Sequence, residues 1–388
     1  MSDYRHEVSV ITKRPGERPV TIDRVVSFEL TLDLLELGDP FHLSLPFDRQ
    51  TWDAVREDNE VEIRIDGVQQ LSGLIDDRKR RVSKRGGATI EVDGRDRGGR
   101  ILDESALYFL YKGIGVKQLA ENLVGDWFET VSLGNAENRR LIRGAGRKQA
   151  MVSSEPPIQA GRSVQKKVEP GESRASVLTS FLEEADLLAW SSADGKSFIV
   201  GYPNYAQKPQ WRFFAPTVDS PRAVYGNVTE FEFGRSVGER YSAILACGSS
   251  RGNSESYGPN VTRRSAVVRD GPNADGTGRD FAHPKRLIVT DDDIRSTDDA
   301  LFRAGREMAI RNAGAKTLSL TVDGWGQQYH GSGQPTLFAF DTVAEWTDEE
   351  IDEVGEYLVT QVTFRESKDS GQVAELELVP TGTALVIS

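Results

Sequence analysis

The chain has 388 residues, of which 38% are hydrophobic and 28% charged, and its formal charge is -12. That length exceeds the roughly 250 to 300 residues at which a single core stops growing, so two to four domains are expected, and the composition is far from that of a disordered chain. The acidic balance argues against a surface that grips nucleic acid by neutralising phosphates. It permits an acid-lined passage through which DNA slides without sticking.

Residues 7–12, 20–32 and 41–45 alternate apolar and polar positions and are predicted as strands. Residues 61–66 and 71–75 flank the Asp66-Gly67 pair as a hairpin, and 88–92 closes the set. The charged run DDRKRRVSKRGG at 76–87 suits a long solvated hairpin arm. A small antiparallel barrel or sandwich follows from this spacing.

The period then changes. Val116, Leu119, Ala120, Leu123 and Val124 share one helical face and open an α/β region. Residues 138–171, with glycines, two adjacent prolines and many basic side chains, are predicted as an ordered loop or extended arm, or as a partly disordered insert. The stretch 168–203 reads as one helix and one hairpin. Ser173 supplies the cap, Val177, Leu178, Phe181, Leu182 and Ala185 form the apolar face, and Asp194-Gly195 turns between strands at 187–190 and 198–200.

The β pattern returns from Trp211, with strands at 228–233 and 241–249 and a polar, glycine-rich loop at 250–278. After a strand at 286–290, Ser296 and Asp299 resemble a capping box for a helix from 297 to about 312, with Leu301, Ala304, Met308 and Ile310 mostly on one side. Strands follow at 318–322, 336–343, 357–366 and 373–379, with a turn at 369–371. The strings RIDGVQQLSGLIDD and TVDGWGQQYHGSGQP share a strand, a DG turn and a long hairpin, a loose sign of two related β regions.

No constellation for chemistry stands out. His6, His42, His283 and His330 are widely separated and lack ligand spacing, and Cys247 is the only cysteine, so neither a disulfide within the chain nor a cysteine-based zinc site is possible. Cys247 is expected as a buried structural thiol. GRDRGG (Gly94 to Gly99) and RGAGRK (Arg143 to Lys148) lack the elements of a phosphate loop and read as a strand end and a basic loop. Asp291 to Asp293 reads as a solvated turn, and DEEIDEVGE (Asp348 to Glu356) as an acidic exposed turn. There is no GxSxG elbow. Basic runs at 78–85 and 139–148 lack interleaved aromatics and suit pairing with an acidic neighbour better than base stacking. No catalytic, cofactor-binding or metal-binding residue is assigned. No stretch has the ~20 apolar residues of a membrane span, and the N-terminus lacks a signal-peptide core, so synthesis and initial retention in the cytosol are expected.

The order of segments resembles the baseplate hub proteins of contractile-tailed phages, the Mu-like tail hub family. The resemblance is carried by VEIRIDGVQQLSGLIDD (61–77), IEVDGRDRGGRILDESA (90–106), the VEPGES helix-hairpin unit (168–203) and FDTVAEWTDEEIDEVGEYLVTQVTFRESKDSGQVAELELVP (340–380). It implies a mainly β fold with α+β parts, in which two tail-tube-like antiparallel β barrels flank, and are supported by, α/β domains. The expected division is a first tube-like barrel at 1–100, an α/β domain at 101–205, and a second barrel at 206–388 with an α/β insert at about 250–315. It further implies a homotrimeric ring, without enzymatic activity or cofactors, that joins the sixfold tail tube, or a tube initiator, to a threefold central spike among other baseplate proteins. DNA would pass its channel without specific binding. The ring would sit in the virion tail baseplate after assembly in the host cytoplasm. A secretion-system spike-type hub and a tail-associated cell-wall hydrolase are the alternatives.

Overall fold

The computed structural model describes residues 5–84, 87–108, 110–134, 164–185, 187–205, 207–216, 227–248, 264–277, 281–291, 294, 296–327 and 335–381. Much of the segment predicted as a loop at 138–171 lies outside these residues. So do Arg143, Lys148, His330, Asp292, Asp293 and the stretch 250–263.

The first hundred residues form β1 (Val8–Lys13), β2 (Val20–Ile22), β3 (Ser27–Asp33), β4 (Pro40–Pro46), α1 (Arg49–Ala54), β5 (Glu60–Ile65), β6 (Val68–Ser83), β7 (Gly87–Asp96) and α2 (Gly98–Asp103). The middle contributes β8 (Leu110–Ile114), α3 (Val116–Val124), β9 (Thr130–Gly134), β10 (Val164–Lys167), α4 (Arg174–Ala185), β11 (Leu188–Ser191) and β12 (Ser197–Gly201). Then come β13 (Trp211–Phe214), β14 (Val228–Arg235), β15 (Ala243–Gly248), β16 (Ser265–Arg269), β17 (Arg286–Asp291), α5 (Thr297–Gly314), β18 (Lys316–Asp323), β19 (Gly326–Gln327), β20 (Thr336–Leu337), β21 (Thr342–Asp348), β22 (Glu353–Ser367) and β23 (Gly371–Pro380). The fold is mainly β with α+β parts, as the sequence resemblance implies. Among the described residues no helix is long and apolar enough to cross a membrane.

Several elements follow directly from local chemistry. Asp66 and Gly67 both take positive φ, 51° and 76°, the turn whose twist matches a two-residue hairpin, and they join β5 to β6. The charged run after Ile75 continues β6 outward, paired with β7 as far as Ser83 opposite Gly87, so the solvated arm is a two-stranded ribbon. Ser173 Oγ accepts the Ser176 amide at 3.1 Å, which caps α4, while Val177, Leu178, Phe181 and Leu182 are buried; the Ala185 side chain lies outside the described set. Ser296 Oγ likewise accepts the Asp299 amide at 3.0 Å at the start of α5.

Other expectations change. The single strand expected at 20–32 is two, β2 and β3, and that at 336–343 is likewise divided between β20 and β21. The short helices α1 and α2 carry no apolar stripe long enough to be seen in sequence. Part of the expected loop at 250–278 is β16, which pairs antiparallel with β15. On α5 the buried residues are Ala300, Ala304, Met308, Ala309 and Ala313, whereas Leu301 is 39% exposed. Small alanines let the helix sit close on its sheet, so the residues that contact it are not the bulkiest ones. The second DG pair does not close a hairpin like the first: β18 pairs with β14 and β23, and the chain after Gly324 goes to the short β19–β20 pair.

Strand pairing supplies what the pattern cannot. Both β regions are parts of one 13-stranded sheet whose main path runs β14-β18-β23-β22-β3-β4-β7-β6-β5-β1-β2, with β21 on β22 and β13 on β21. The two regions meet where β22 pairs antiparallel with β3, Phe364 opposite Leu30. Among the described residues neither region's ladder closes into a ring, and one hydrophobic cluster runs through both, from Val10 and Leu43 to Trp325, Trp346 and Phe364. A second cluster holds α3, α4 and the β11-β12-β9 sheet against Leu34, Val343 and Leu358. A third holds α5 on the sheet β16-β15-β17.

Candidate functional site

The residues singled out for possible chemistry are scattered, and most have structural partners. His6 is 3% exposed and its Nδ1 lies 2.6 Å from Asp66 Oδ2; His42 Nδ1 lies 2.6 Å from Asp93 Oδ1; His283 is exposed. Among the described residues no three His, Cys, Asp or Glu side chains converge in a metal-binding group. Cys247 is half-buried on an outer sheet face, not a core thiol as expected. Asp291 is held by Arg303 at 3.3 Å.

The glycines of GRDRGG serve packing. A Cβ on Gly94 would meet Leu74 O at 2.3 Å and the Phe41 ring at 2.4 Å, because Phe41 lies directly opposite it across β4 and β7. Asp96 Oδ1 accepts the Gly99 amide at 3.3 Å, so the start of α2 already holds a carboxylate. Burial pushes Asp96 up to about 6 against the lowering effect of Ser191 and the Gly98 and Gly99 amides. Burial, reinforced by Asp96, also raises Asp39 well above the ordinary carboxylate range.

The acidic turn at 348–356 is not exposed throughout. Glu353 is buried and binds Lys316 Nζ at 2.5 Å, Arg235 Nη2 and the Tyr357 hydroxyl at 2.9 Å. It thereby ties β14 and β18 to β22. Glu350, Asp352 and Glu356 remain exposed. In the basic arm, Arg78 stacks on Trp52 at 4.1 Å and Arg80 on Phe47 at 4.3 Å, so aromatics absent from the run itself are supplied from α1 and the loop before it. Arg81 and Lys84 have no ion pair among the described residues.

Two glutamines finish strand edges. Gln372 donates to His6 O at 2.7 Å and accepts from His6 N at 2.9 Å, a two-point bond of the kind a strand neighbour makes. It brings the start of β1 to the β22–β23 hairpin where no ladder does. Beside it, Trp325 stacks on His6 with centroids 5.8 Å apart and donates to Arg365 O at 3.0 Å and Val373 O at 3.1 Å. Gln327 does the same for β13, through Arg212 N at 3.1 Å and Arg212 O at 2.8 Å.

A continuous feature is the face of the main sheet that points away from its hydrophobic cluster. Directly opposed residues in an antiparallel pair share a face. Glu230 and Glu232 of β14 therefore lie level with Thr321 and Ser319 of β18, and these with Glu375 and Glu377 of β23. Next come Thr363 and Gln361 of β22, then Thr31 beside Thr363 and Glu29 beside Arg365. Glu29 meets His42 of β4, which with Ser44 meets Asp93 and Glu91 of β7, opposite Asp77 and Lys79 of β6. The eight carboxylates named here share the face with two permanent cations, Arg365 and Lys79, while Arg95, next along β7, is held between Asp76 at 2.7 Å and Asp103 at 2.6 Å. Sequence alternation marks each outward residue. It does not show that eight strands share one acidic face, because that depends on strand order.

The fold matches known structures along nearly its whole length. A tail protein from Neisseria meningitidis superposes with a TM-score of 0.71 at 19% identity, covering 98% of each chain. The tail protein of prophage MuSo2 from Shewanella oneidensis gives 0.69 at 16% identity, covering 97% of this chain and 99% of that one. An Escherichia coli component of the type VI secretion system gives 0.51 at 12% identity, covering 99% of this chain and 80% of that one. No protein-family model and no curated protein matches the sequence. The chain has the fold of these tail proteins, in keeping with the tail-hub resemblance carried by its segment order.

Proposed function

We propose that this chain is the structural hub of a contractile phage tail baseplate, a homotrimeric ring joining the sixfold tail tube, or its initiator, to the threefold central spike and contacting other baseplate proteins. The observation that carries this reading is the acidic face running across eight strands of both β regions, in a fold that resembles tail proteins. Turned toward a central channel, that face repels the phosphate backbone and releases no counterions to it, so DNA passes during ejection without being held. The ring is placed in the virion, after assembly in the host cytoplasm.

A non-enzymatic role is part of the proposal. The groove of about 280 Å³ on this face contains Glu29, Asp76 and Asp93, and each is engaged by a cation or imidazole, from Arg365, Arg95 and His42. A pair of carboxyl groups that cleaves glycosides must be free to reach the substrate, and each of these carboxylates is taken up by a partner within the chain. A secretion-system spike-type hub is the second reading, favoured by the superposition on the E. coli component. Mass measurement in solution with negative-stain imaging tests the hub: three chains of 42.9 kDa around a pore are expected. A stable monomer that binds neither tube nor spike protein overturns it. Turnover of peptidoglycan, abolished by a single carboxylate substitution, would replace it with the hydrolase.

A further inference from the structure

Two exposed apolar patches on this chain have opposite charge. The sheet β16-β15-β17 buries one face against α5, through Ile244, Ala246 and Met308. Its other face carries Leu245 level with Val267 and Ile288, and one rung away Arg269 and Arg286 lie on either side of Ala243. Val267 is 37% and Ile288 66% exposed, and neither arginine has an ion pair among the described residues. At the β21–β22 turn, Ile351 is 56% and Val354 64% exposed, among Glu350, Asp352 and Glu356, which also have no ion pair there. Arg269 Nε donates to Ala274 O at 2.6 Å, and Arg286 faces Asp275 without a direct ion pair. Large apolar side chains left in water and rimmed by charge mark contact surfaces.

We propose that the outer face of β16-β15-β17 on one copy of this chain receives the β21–β22 turn of the next copy. Burial of Ile351 and Val354 against Val267 and Ile288 supplies the attraction, and the carboxylates meeting Arg269 and Arg286 set the orientation. The two surfaces differ, so the contact is head-to-tail, the type that closes into a ring. The inference rests on the trimeric hub reading and names its subunit interface.

Because all the side chains involved are exposed, polar replacement leaves the fold intact, which thermal melting checks. Ile288→Asp and Ile351→Asp are each expected to convert the three-chain species into single chains of 42.9 kDa. Each variant keeps the patch the other has lost, so mixing them is expected to give a two-chain species that cannot close. A three-chain mass retained by either variant, or a mixture that stays single, overturns this interface and leaves the hub reading standing. A wild-type chain that is itself single overturns the ring.

Discussion

At the scale of single residues, the most informative group is the buried acid cluster where the main sheet meets the α/β segment. Asp39 Oδ1 accepts the Asp33 amide at 2.8 Å, and Asp96 N donates to Asp39 O at 2.9 Å, so two carboxylates are buried for the sake of backbone geometry. Asp96 carries a pKa near 6 when folded, above the ordinary value of about 4 for an unfolded aspartate. The folded state therefore binds the extra proton, and stability from this group is present below about pH 4 and lost as the pH rises through 6. Asp96→Asn keeps an oxygen for the Gly99 amide and carries no charge. It is expected to be more stable than wild type at pH 8, by an amount on the order of 3 kcal/mol for a shift of about two units. That advantage should shrink toward zero between pH 6 and 4 in thermal melts, and an advantage that does not change with pH would refute the assignment. None of this is legible in the sequence. Asp39 and Asp96 look like ordinary turn and strand-end residues until folding brings them together, and Gln372 and Glu353 become structural only through strands far away in the chain.

At the scale of elements, legibility follows the range of the interactions involved. The helix-hairpin unit at 168–203, the Asp66-Gly67 hairpin, α3 and the cap of α5 are built from contacts within a few residues, and the sequence shows each of them. Ser296→Ala removes the acceptor for the Asp299 amide and is expected to cost about 1 kcal/mol, while Ser296→Asp keeps it. Denaturant unfolding followed by helix signal reads the difference, and equal midpoints for the two variants would show the cap to be idle. Elements whose identity depends on a neighbour are missed. β16 is a short run between polar stretches that becomes a strand by pairing with β15, and the buried side of α5 is chosen by the sheet beneath it, which prefers alanine at close approach to the larger Leu301.

At the scale of the whole molecule, the acidic sheet face makes the channel proposal testable through charge. Glu230, Glu232 and Glu377 are exposed and have no ion pair among the described residues, so changing them to lysine alters the field with little effect on packing. Wild-type protein is expected to leave duplex DNA unbound at 50 mM salt. The triple lysine variant is expected to bind it, with affinity falling on the order of 40-fold between 50 and 200 mM if three phosphates are contacted. Binding by the wild type would remove the physical basis for a non-sticking passage.

By itself the sequence determined the β-rich class, the helix-hairpin unit, the solvated basic arm and the scarcity of reactive groups, because these rest on local periodicity, turn chemistry and residue counts. Its order of segments also carried the resemblance to tail hubs. Only the tertiary structure decided that the two β regions are one sheet joined at β22 and β3, and that glutamine side chains stand in for missing strand neighbours. It likewise decided that eight carboxylates from five strands of that sheet share one face. These depend on strand order and register between residues hundreds of positions apart, which a period-2 pattern leaves open.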